Sequence, residues 1–264
     1  MDRPDTNLLL QANEELRDLD LMFGVLSGLR VQDSIRVNFY FNRQLAGEVL
    51  PDAPYWSGGI ARSGNQIHIF SQDRRSWYAT LKHELVHSVL RQNEIRIPTW
   101  FEEGLAETFA DQWTWRDFNT LGSAVMRRQV IPLIDINRLQ TFNRSQAQLA
   151  YSQSMHVTRF LMKRHGDEVI KELLAMEGAS FRDHFEAVTG EGLADFEIAW
   201  RERLKREFWF FGMSQLPGWL WVLMPLIVIV AFVQKMDRGR RQLKEWAEEE
   251  DDEDDPHVNI PYDA

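Results

Sequence analysis

Residues 83–87 read His-Glu-Leu-Val-His, and residues 100–107 read Trp-Phe-Glu-Glu-Gly-Leu-Ala-Glu. If the first segment is helical, His83 and His87 stand one turn apart on the same face, so both imidazoles can bind one metal ion. Glu84 then lies beside the ion without being a ligand. A carboxylate there can take a proton from a zinc-bound water, because zinc lowers the pKa of that water to about 7. The pattern therefore indicates a Zn²⁺ cofactor and hydrolysis, with peptide bonds as the expected target.

Two histidines four residues apart around a Glu also arise by chance, in roughly one random chain of this length in a hundred. The neighbouring residues favour the zinc interpretation, because they give the segment the buried apolar face that a metallopeptidase helix requires. These residues are Leu81, Leu85, Val86, Val89 and Leu90.

A catalytic zinc ion usually has three protein ligands and an open fourth position. Glu103 is the candidate for the third ligand. Thr99 and Glu102 fit a T-x-x-E capping box, which predicts a helix that starts just after Pro98 and gives Glu102 a structural role. Glu107 lies one turn beyond Glu103, where it can accept a hydrogen bond from the outer nitrogen of a ligand histidine. The alternative is that these glutamates form an acidic, solvated helix start.

The two segments resemble the gluzincin zinc metallopeptidases, and most closely the bacterial peptidase MA-like domain family. The resemblance covers roughly residues 12–205. In that family the Glu before Gly-Leu-Ala is the third zinc ligand, which corresponds to Glu103. The interval from His87 to Glu103 is shorter than in the related aminopeptidases, which favours the compact MA-like group. The resemblance implies an α+β fold, in which a small mixed sheet and the zincin active-site helix face a helical subdomain.

Strands are predicted on the N-terminal side of the zinc motif. Residues 34–41 alternate apolar and polar side chains, as in a half-buried strand, and residues 66–70 form a second strand. Residues 55–61 resemble the family's glycine-containing turn ahead of an edge strand, which binds an extended substrate by adding it to the sheet. The resemblance assigns that role to residues 66–70. His68 is expected on the polar, exposed side of this strand and not as a ligand.

The pattern after Asp111 is helical, which agrees with the helical half of the family. Peptide hydrolysis also needs a donor to the developing oxyanion, whose loss typically costs about a hundredfold in rate. Tyr151 is the candidate, in an Ala-Tyr-Ser-Gln-Ser segment similar to that of the family, although packing in the core explains it equally well. His156 is the alternative, since other gluzincins use a histidine from the helical half; an exposed helical histidine is the simpler explanation.

Composition agrees with one catalytic domain, at residues 1–206, plus attachments. The chain has 264 residues, 44% of them hydrophobic, and no cysteine, so zinc thiolate sites and disulfides are excluded. Eight acidic residues at 248–255 account for most of the net charge of −10, since the rest of the chain has 32 acidic and 30 basic residues. The domain therefore lacks the basic surface that binds nucleic acid.

The C-terminal part contains no charged residue from 208 to 234. Residues 216–234 are predicted to form a transmembrane helix, because their apolar core spans roughly 27 Å as a helix, close to the thickness of the bilayer hydrocarbon. Residues 207–215 are expected to be a membrane-interface connector. Residues 235–264 are predicted to be a disordered tail, first basic and then acidic, whose partner is open.

The basic cluster at 235–244 lies closer to this span than the one at 201–206, which favours a cytoplasmic C-terminus. The protein is therefore expected to be a single-pass protein of the inner (cytoplasmic) membrane with a periplasmic, extracytoplasmic catalytic domain. Residues 1–30 do not have the pattern of a signal peptide. Either a leader has been removed, which we favour, or the protein is tail-anchored with a cytoplasmic domain.

The leading hypothesis is a membrane-anchored, zinc-dependent metallopeptidase that hydrolyses peptide bonds of a peptide or protein substrate. A zinc-activated water attacks, and Glu84 is the general base. The alternative is a proteolytically inactive, membrane-tethered zinc-binding scaffold or interaction protein. A scaffold usually closes all four zinc positions with protein ligands.

Overall fold

A computed structural model of the protein describes residues 6–40, 47–48, 50–51, 57–70, 77–111, 113–175, 180–209, 211 and 225–241. The chain divides into two units, Met1–Phe211 and Gly212–Ala264. The described elements of the first unit are α1 (Thr6–Ser27), β1 (Arg36–Tyr40), β2 (Gly59–Arg62), β3 (Gln66–Phe70), α2 (Trp77–Gln92), α3 (Thr99–Ala110), α4 (Trp115–Met126), a 3-10 helix (Leu133–Thr141), α5 (Arg144–His165), α6 (Glu168–Leu174), α7 (Phe181–Thr189) and α8 (Leu193–Glu207). This mostly helical unit with a small sheet has the expected α+β fold.

The described strands form a mixed sheet in the order β1-β3-β2, with β1 parallel and β2 antiparallel to β3. Residues 66–70 are therefore the central strand, and the prediction that they form the substrate-binding edge is wrong. Strand order depends on contacts between distant segments, which the local pattern does not contain. Among the described strands, β2 is the edge on the side of the zinc motif.

His68 is buried, with only 6% of its surface exposed, so the prediction of an exposed histidine is also wrong. His68 is buried because β3 is the central strand of the described sheet, with β1 on one side of it and β2 on the other. Its Nδ1 atom lies 3.1 Å from the Tyr40 hydroxyl, and the two rings stack with centroids 5.7 Å apart. Burial, and then the charge of Arg62, lower the pKa of His68. His68 is thus a neutral residue within the sheet.

Helix α2 carries the zinc motif and packs against both β2 and β3. Its five predicted apolar residues are almost completely buried, which confirms the expected helical face. The helix extends beyond the motif in both directions, from Trp77 to Gln92. The His-Glu-Leu-Val-His segment is therefore held inside a long helix and not at a frayed end.

Helices α3 and α5 cross in close contact at Gly104. A Cβ atom at this position would collide with the Thr158 hydroxyl and with the backbone carbonyl of Ser154. Because one of these atoms belongs to the backbone, only glycine allows the two helices to approach this closely. The crossing fixes the position of α3, and with it Glu103, relative to α5.

In the second unit the structure describes a helix at 225–241. Part of the predicted span, residues 216–224, lies outside the described residues, as do the connector residues 212–215 and the tail residues 242–264. Within the described part of the chain, no helix is both long enough and apolar enough to cross a bilayer. The helix also passes the predicted boundary at residue 234 and continues into the basic segment.

Candidate metal centre

Three side chains from α2 and α3 converge on one point. The Nε2 atoms of His83 and His87 are 3.1 Å apart. The Oε2 atom of Glu103 is 3.3 Å from the first nitrogen and 3.5 Å from the second. Ligand atoms bound at about 2.1 Å to a tetrahedral zinc ion are about 3.4 Å apart, so this triangle has the size that zinc requires. The structure thus brings together the three predicted ligands.

The chemistry of the three donors also fits zinc. The Oε2 atom of Glu103 is buried and accepts no hydrogen bond, a costly state that a cation between it and the imidazoles would relieve. Among the described residues, no fourth His, Asp or Glu joins this group. Two nitrogens, one carboxylate oxygen and no fourth protein ligand are typical of a catalytic zinc site and not of a closed structural one.

The buried imidazoles and carboxylates influence each other's ionisation. Burial alone would lower the pKa of His87, but the Glu103 carboxylate and the bond to Glu102 raise this pKa to about 9. Burial also opposes protonation of His83, whose pKa is nevertheless raised by Glu103 and Glu107. For Glu103, burial favours the neutral acid, but the imidazoles lower its pKa below the usual range. Glu103 is therefore ionised and suited to a cation, which would compete with protons for both imidazoles.

The outer nitrogen of each histidine has its own carboxylate partner. Nδ1 of His83 lies 3.3 Å from Oε1 of Glu107, the contact that the sequence predicted. Nδ1 of His87 lies 2.7 Å from Oε1 of Glu102. Such partners fix the orientation and the tautomer of a metal-binding imidazole. Both rings are thus held with Nε2 towards the third ligand.

The capping role predicted for Glu102 is wrong. Helix α3 begins at Thr99 with Pro98 as its N-cap, so the N-cap residue offers no side-chain acceptor, and the Thr99 N–H donates to Oδ1 of Asn137 at 3.1 Å. The Pro98 carbonyl accepts the bonds from the N–H groups of Phe101 and Glu102 instead. The helix therefore starts too early for the T-x-x-E pattern to act as a box. A different signal was present: two ligand histidines need two outer acceptors, and the motif offers two glutamates besides Glu103.

Glu84 is buried beside the three ligands, and the backbone N–H of Ala61 donates a hydrogen bond to it. Burial raises the pKa of Glu84, whereas the neighbouring histidines oppose the rise. The edge strand presses against this side chain, since a Cβ atom at Gly59 would lie only 3.0 Å from Cγ of Glu84. Strand β2 therefore fixes the carboxylate that the sequence assigns as the base.

The cluster opens into a cleft of about 580 Å³. One wall is the edge strand β2 with the residues before it, and the opposite wall comes from the starts of α4 and α5. The base and the three ligands lie between these walls. The cluster is therefore open to a ligand in this cleft and not sealed inside the domain.

The sequence profile of the Peptidase MA superfamily (Peptidase_MA_2) matches residues 21–206. The chain belongs to the Peptidase MA superfamily. The matched range contains His83, His87 and Glu103, their outer carboxylates and both walls of the cleft. Neither a curated protein nor a solved structure gives a match to the chain. Membership supports a peptidase domain at the level of the superfamily, and zinc is the typical metal of this superfamily.

The cleft of this Peptidase MA domain contains Tyr151, whose ring centroid lies 6.0 Å from that of His83. Burial, and then the charges of the nearby glutamates, raise the pKa of Tyr151 well above its usual value. Its phenol is therefore neutral and retains a proton to donate. His156 lies elsewhere: it accepts a bond of 3.0 Å from Nε1 of Trp200 and lines a separate cavity of about 230 Å³.

Proposed function

We propose that this Peptidase MA domain is a zinc metallopeptidase that hydrolyses peptide bonds. The observation that carries the proposal is the triangle of His83, His87 and Glu103, which opens into a cleft of about 580 Å³ lined by the edge strand β2. Zinc held there would lower the pKa of a water molecule and polarise the scissile carbonyl.

In this proposal, Glu84 takes the proton of the attacking water and passes it to the leaving amine. The bond from Ala61 orients its carboxylate, and burial brings its pKa closer to neutrality, where proton transfer in both directions is efficient. Tyr151 donates its phenolic hydrogen bond to the oxyanion. Glu102 and Glu107 hold the two imidazoles in place.

The edge strand offers a backbone for an extended substrate. The carbonyl of Gly58 accepts from the N–H of Phe70, and hydrogen bonding alternates along an antiparallel strand. The peptide groups of Gly59 and Ala61 therefore face away from β3 and towards the cleft. Those of Ala61 are bonded to side chains of α2. We infer that a substrate pairs with β2 at Gly59.

The direct test is metal content and cleavage by the intact wild-type chain. We expect about one zinc per chain by elemental analysis, cleavage of a diverse peptide library, loss of cleavage with a chelator, and recovery on addition of zinc. Zinc without any cleavage would support the scaffold alternative. Absence of zinc binding would overturn both.

We also propose that the protein is a single-pass protein of the inner membrane, with the catalytic unit periplasmic (extracytoplasmic) and the tail cytoplasmic. Residues 208–234 have no charge. At the start of this uncharged segment, Trp209 is 58% exposed. On α4, Trp115 is 74% exposed and stacks on Phe118 with ring centroids 5.1 Å apart. Tryptophan is enriched where a protein meets the membrane–water interface. These exposed rings support the proposal that the C-terminal end of the first unit lies at a membrane surface.

Because the chain contains no cysteine, single-cysteine variants report topology without background. We expect Ile134→Cys, at a residue 71% exposed, to react with a membrane-impermeant maleimide in spheroplasts of a bacterial host. Asn259→Cys, in the tail, should react only after lysis. The reverse pattern would favour the tail-anchored orientation with a cytoplasmic domain, and protection of both sites would contradict a single membrane crossing. Recovery of the chain in the soluble fraction would contradict anchoring.

A further inference from the structure

Two arginines line the wall of the cleft opposite the edge strand. Arg116 belongs to α4 and Arg144 to α5, and both are exposed. Within the described part of the chain, neither guanidinium makes a hydrogen bond or an ion pair. A third arginine of the cleft, Arg91, lies at the metal end and donates a hydrogen bond of 2.6 Å to the Ala61 carbonyl, so it differs from these two in having a partner.

Stability of the fold does not explain these two residues. Helix α4 begins at Trp115 and α5 at Arg144, so both arginines lie in the first turn of a helix. The first turn carries the positive end of the helix dipole, where acidic side chains are stabilising and basic ones are not. Two unpaired cations at such positions, both on the wall of one cleft, point to a function in binding.

A buried network holds this wall together. Asp117, next to Arg116, is 8% exposed. Its Oδ1 atom accepts bonds from Ser152 at 2.8 Å and from Gln148 at 2.9 Å, and its Oδ2 atom accepts from the Thr114 hydroxyl at 2.6 Å. The start of α4 is thereby fixed to the face of α5 that lines the cleft. Both arginines therefore belong to one positioned surface.

Helix α5 also gives the distance along the cleft between Arg144 and Tyr151. Arg144, Gln148 and Tyr151 all line the cleft from α5, and Tyr151 lies next to the zinc ligands. Seven residues separate Arg144 from Tyr151, which is about 10 Å along a helix axis. An extended peptide advances about 3.3 Å per residue. The backbone of Arg144 thus lies about three extended substrate residues along α5 from Tyr151, within the further reach of its side chain.

We propose that Arg116 and Arg144 form a carboxylate-binding subsite, which selects peptides with an acidic group about three residues from the scissile bond. The inference rests on the proposed peptidase function and adds its substrate class. The carboxylate comes from an Asp or Glu side chain or from the C-terminus of the peptide, and a guanidinium can bind either in a bidentate manner.

The test uses a matched set of peptides. One series moves a single Glu from one to four residues on either side of the cleaved bond, with Gln in its place as the neutral partner and both ends blocked. A second series has Gln throughout and a free C-terminal carboxylate at the same distances. Wild-type kcat/KM should be about tenfold higher for a peptide whose carboxylate lies about three residues from the cleaved bond than for its neutral partner. This preference should weaken as the salt concentration rises.

The variants are Arg116→Gln, Arg144→Gln and the double variant. Arg127→Gln and Lys163→Gln are the controls, because these exposed cations lie at the opposite ends of the same two helices and do not line the cleft. The double variant should cleave acidic and neutral peptides with equal kcat/KM, because it lacks both guanidinium groups that bind the carboxylate. The double control variant, with Arg127→Gln and Lys163→Gln together, should keep the wild-type preference for acidic peptides.

Each outcome decides the proposal. Preference for the Glu series alone identifies a side-chain subsite, and preference for the free C-terminus alone identifies an exopeptidase-type subsite. Equal cleavage of acidic and neutral peptides by the wild type, or a preference that survives in the double variant, overturns the inference and leaves the peptidase intact. Binding of labelled peptides to zinc-loaded Glu84→Gln protein separates the two hypotheses. Tighter binding of carboxylate peptides, measured as a lower Kd, without any cleavage by the wild type would contradict the peptidase function and support the carboxylate-binding subsite.

Discussion

Glu84→Gln is expected to lower kcat/KM by about 10²- to 10⁴-fold while the zinc content stays at the wild-type level. The amide has the size of the carboxylate and its oxygen can still accept the bond from Ala61, but it cannot take a proton from water. Since Glu84 is not one of the three converging ligands, its loss leaves the metal site intact. Parallel measurement of bound zinc and peptide cleavage separates catalysis from metal binding.

The matched control for Glu84→Gln is Glu186→Gln, which makes the same chemical change at an exposed position on α7. This variant should retain wild-type cleavage. Substantial hydrolysis by Glu84→Gln would show that another group acts as the base. Loss of zinc together with activity would instead assign Glu84 to the coordination sphere.

Glu102→Ala should weaken zinc binding by about 10- to 100-fold, with Glu107→Ala similar and the double variant weaker still. Each substitution removes the acceptor for the outer nitrogen of one imidazole, so the ring loses its fixed orientation and part of its basicity. The zinc affinity of Glu102→Gln should lie between those of Glu102→Ala and the wild type, because the amide oxygen still accepts the hydrogen bond from His87 but carries no negative charge. Competition with a metallochromic chelator measures the affinities directly.

The same variants distinguish the two interpretations of Glu102. If this residue capped α3, Glu102→Ala would lower the free energy of unfolding of the metal-free protein by about 1 kcal/mol and leave the zinc affinity unchanged. If it orients His87, the zinc affinity falls instead. Glu186→Ala, with no contact to the site, is the control for both measurements.

Local patterns in the sequence predicted the parts of this fold that depend on nearby residues. The strand at 66–70 and the helical zinc motif follow from periodicity and spacing. Glu107 was found in the same way, because it lies one turn beyond a ligand. Glu103 was predicted from the need for a third zinc ligand and from the resemblance to the gluzincins. The catalytic and metal-binding roles of these residues stay predictions, and the Peptidase MA match supports them at the level of the superfamily.

Contacts between distant segments account for the errors. The order of the strands made 66–70 a central strand and buried His68, and no pattern within a single strand contains that information. Glu102 was misassigned because the start of a helix is set by the residue before it, here Pro98, and a shift of one position changes which side chain can act as a cap. The positions of Arg116 and Arg144 on one wall depend on the contact of α4 with α5, which only the folded chain reveals.

The close crossing at Gly104 also limits the relative motion of helices α3 and α5. Because α3 and α5 touch through backbone atoms, the helix with Glu103 and the wall with Tyr151 move together and keep a constant separation. Adaptation to a bulky substrate must then come from the opposite wall, by bending of the edge strand β2. An engineer who wishes to widen specificity without disturbing Glu84 or the ligands would therefore vary Ile60, which lines the cleft from β2, and leave Gly59, Ala61 and Gly104 untouched.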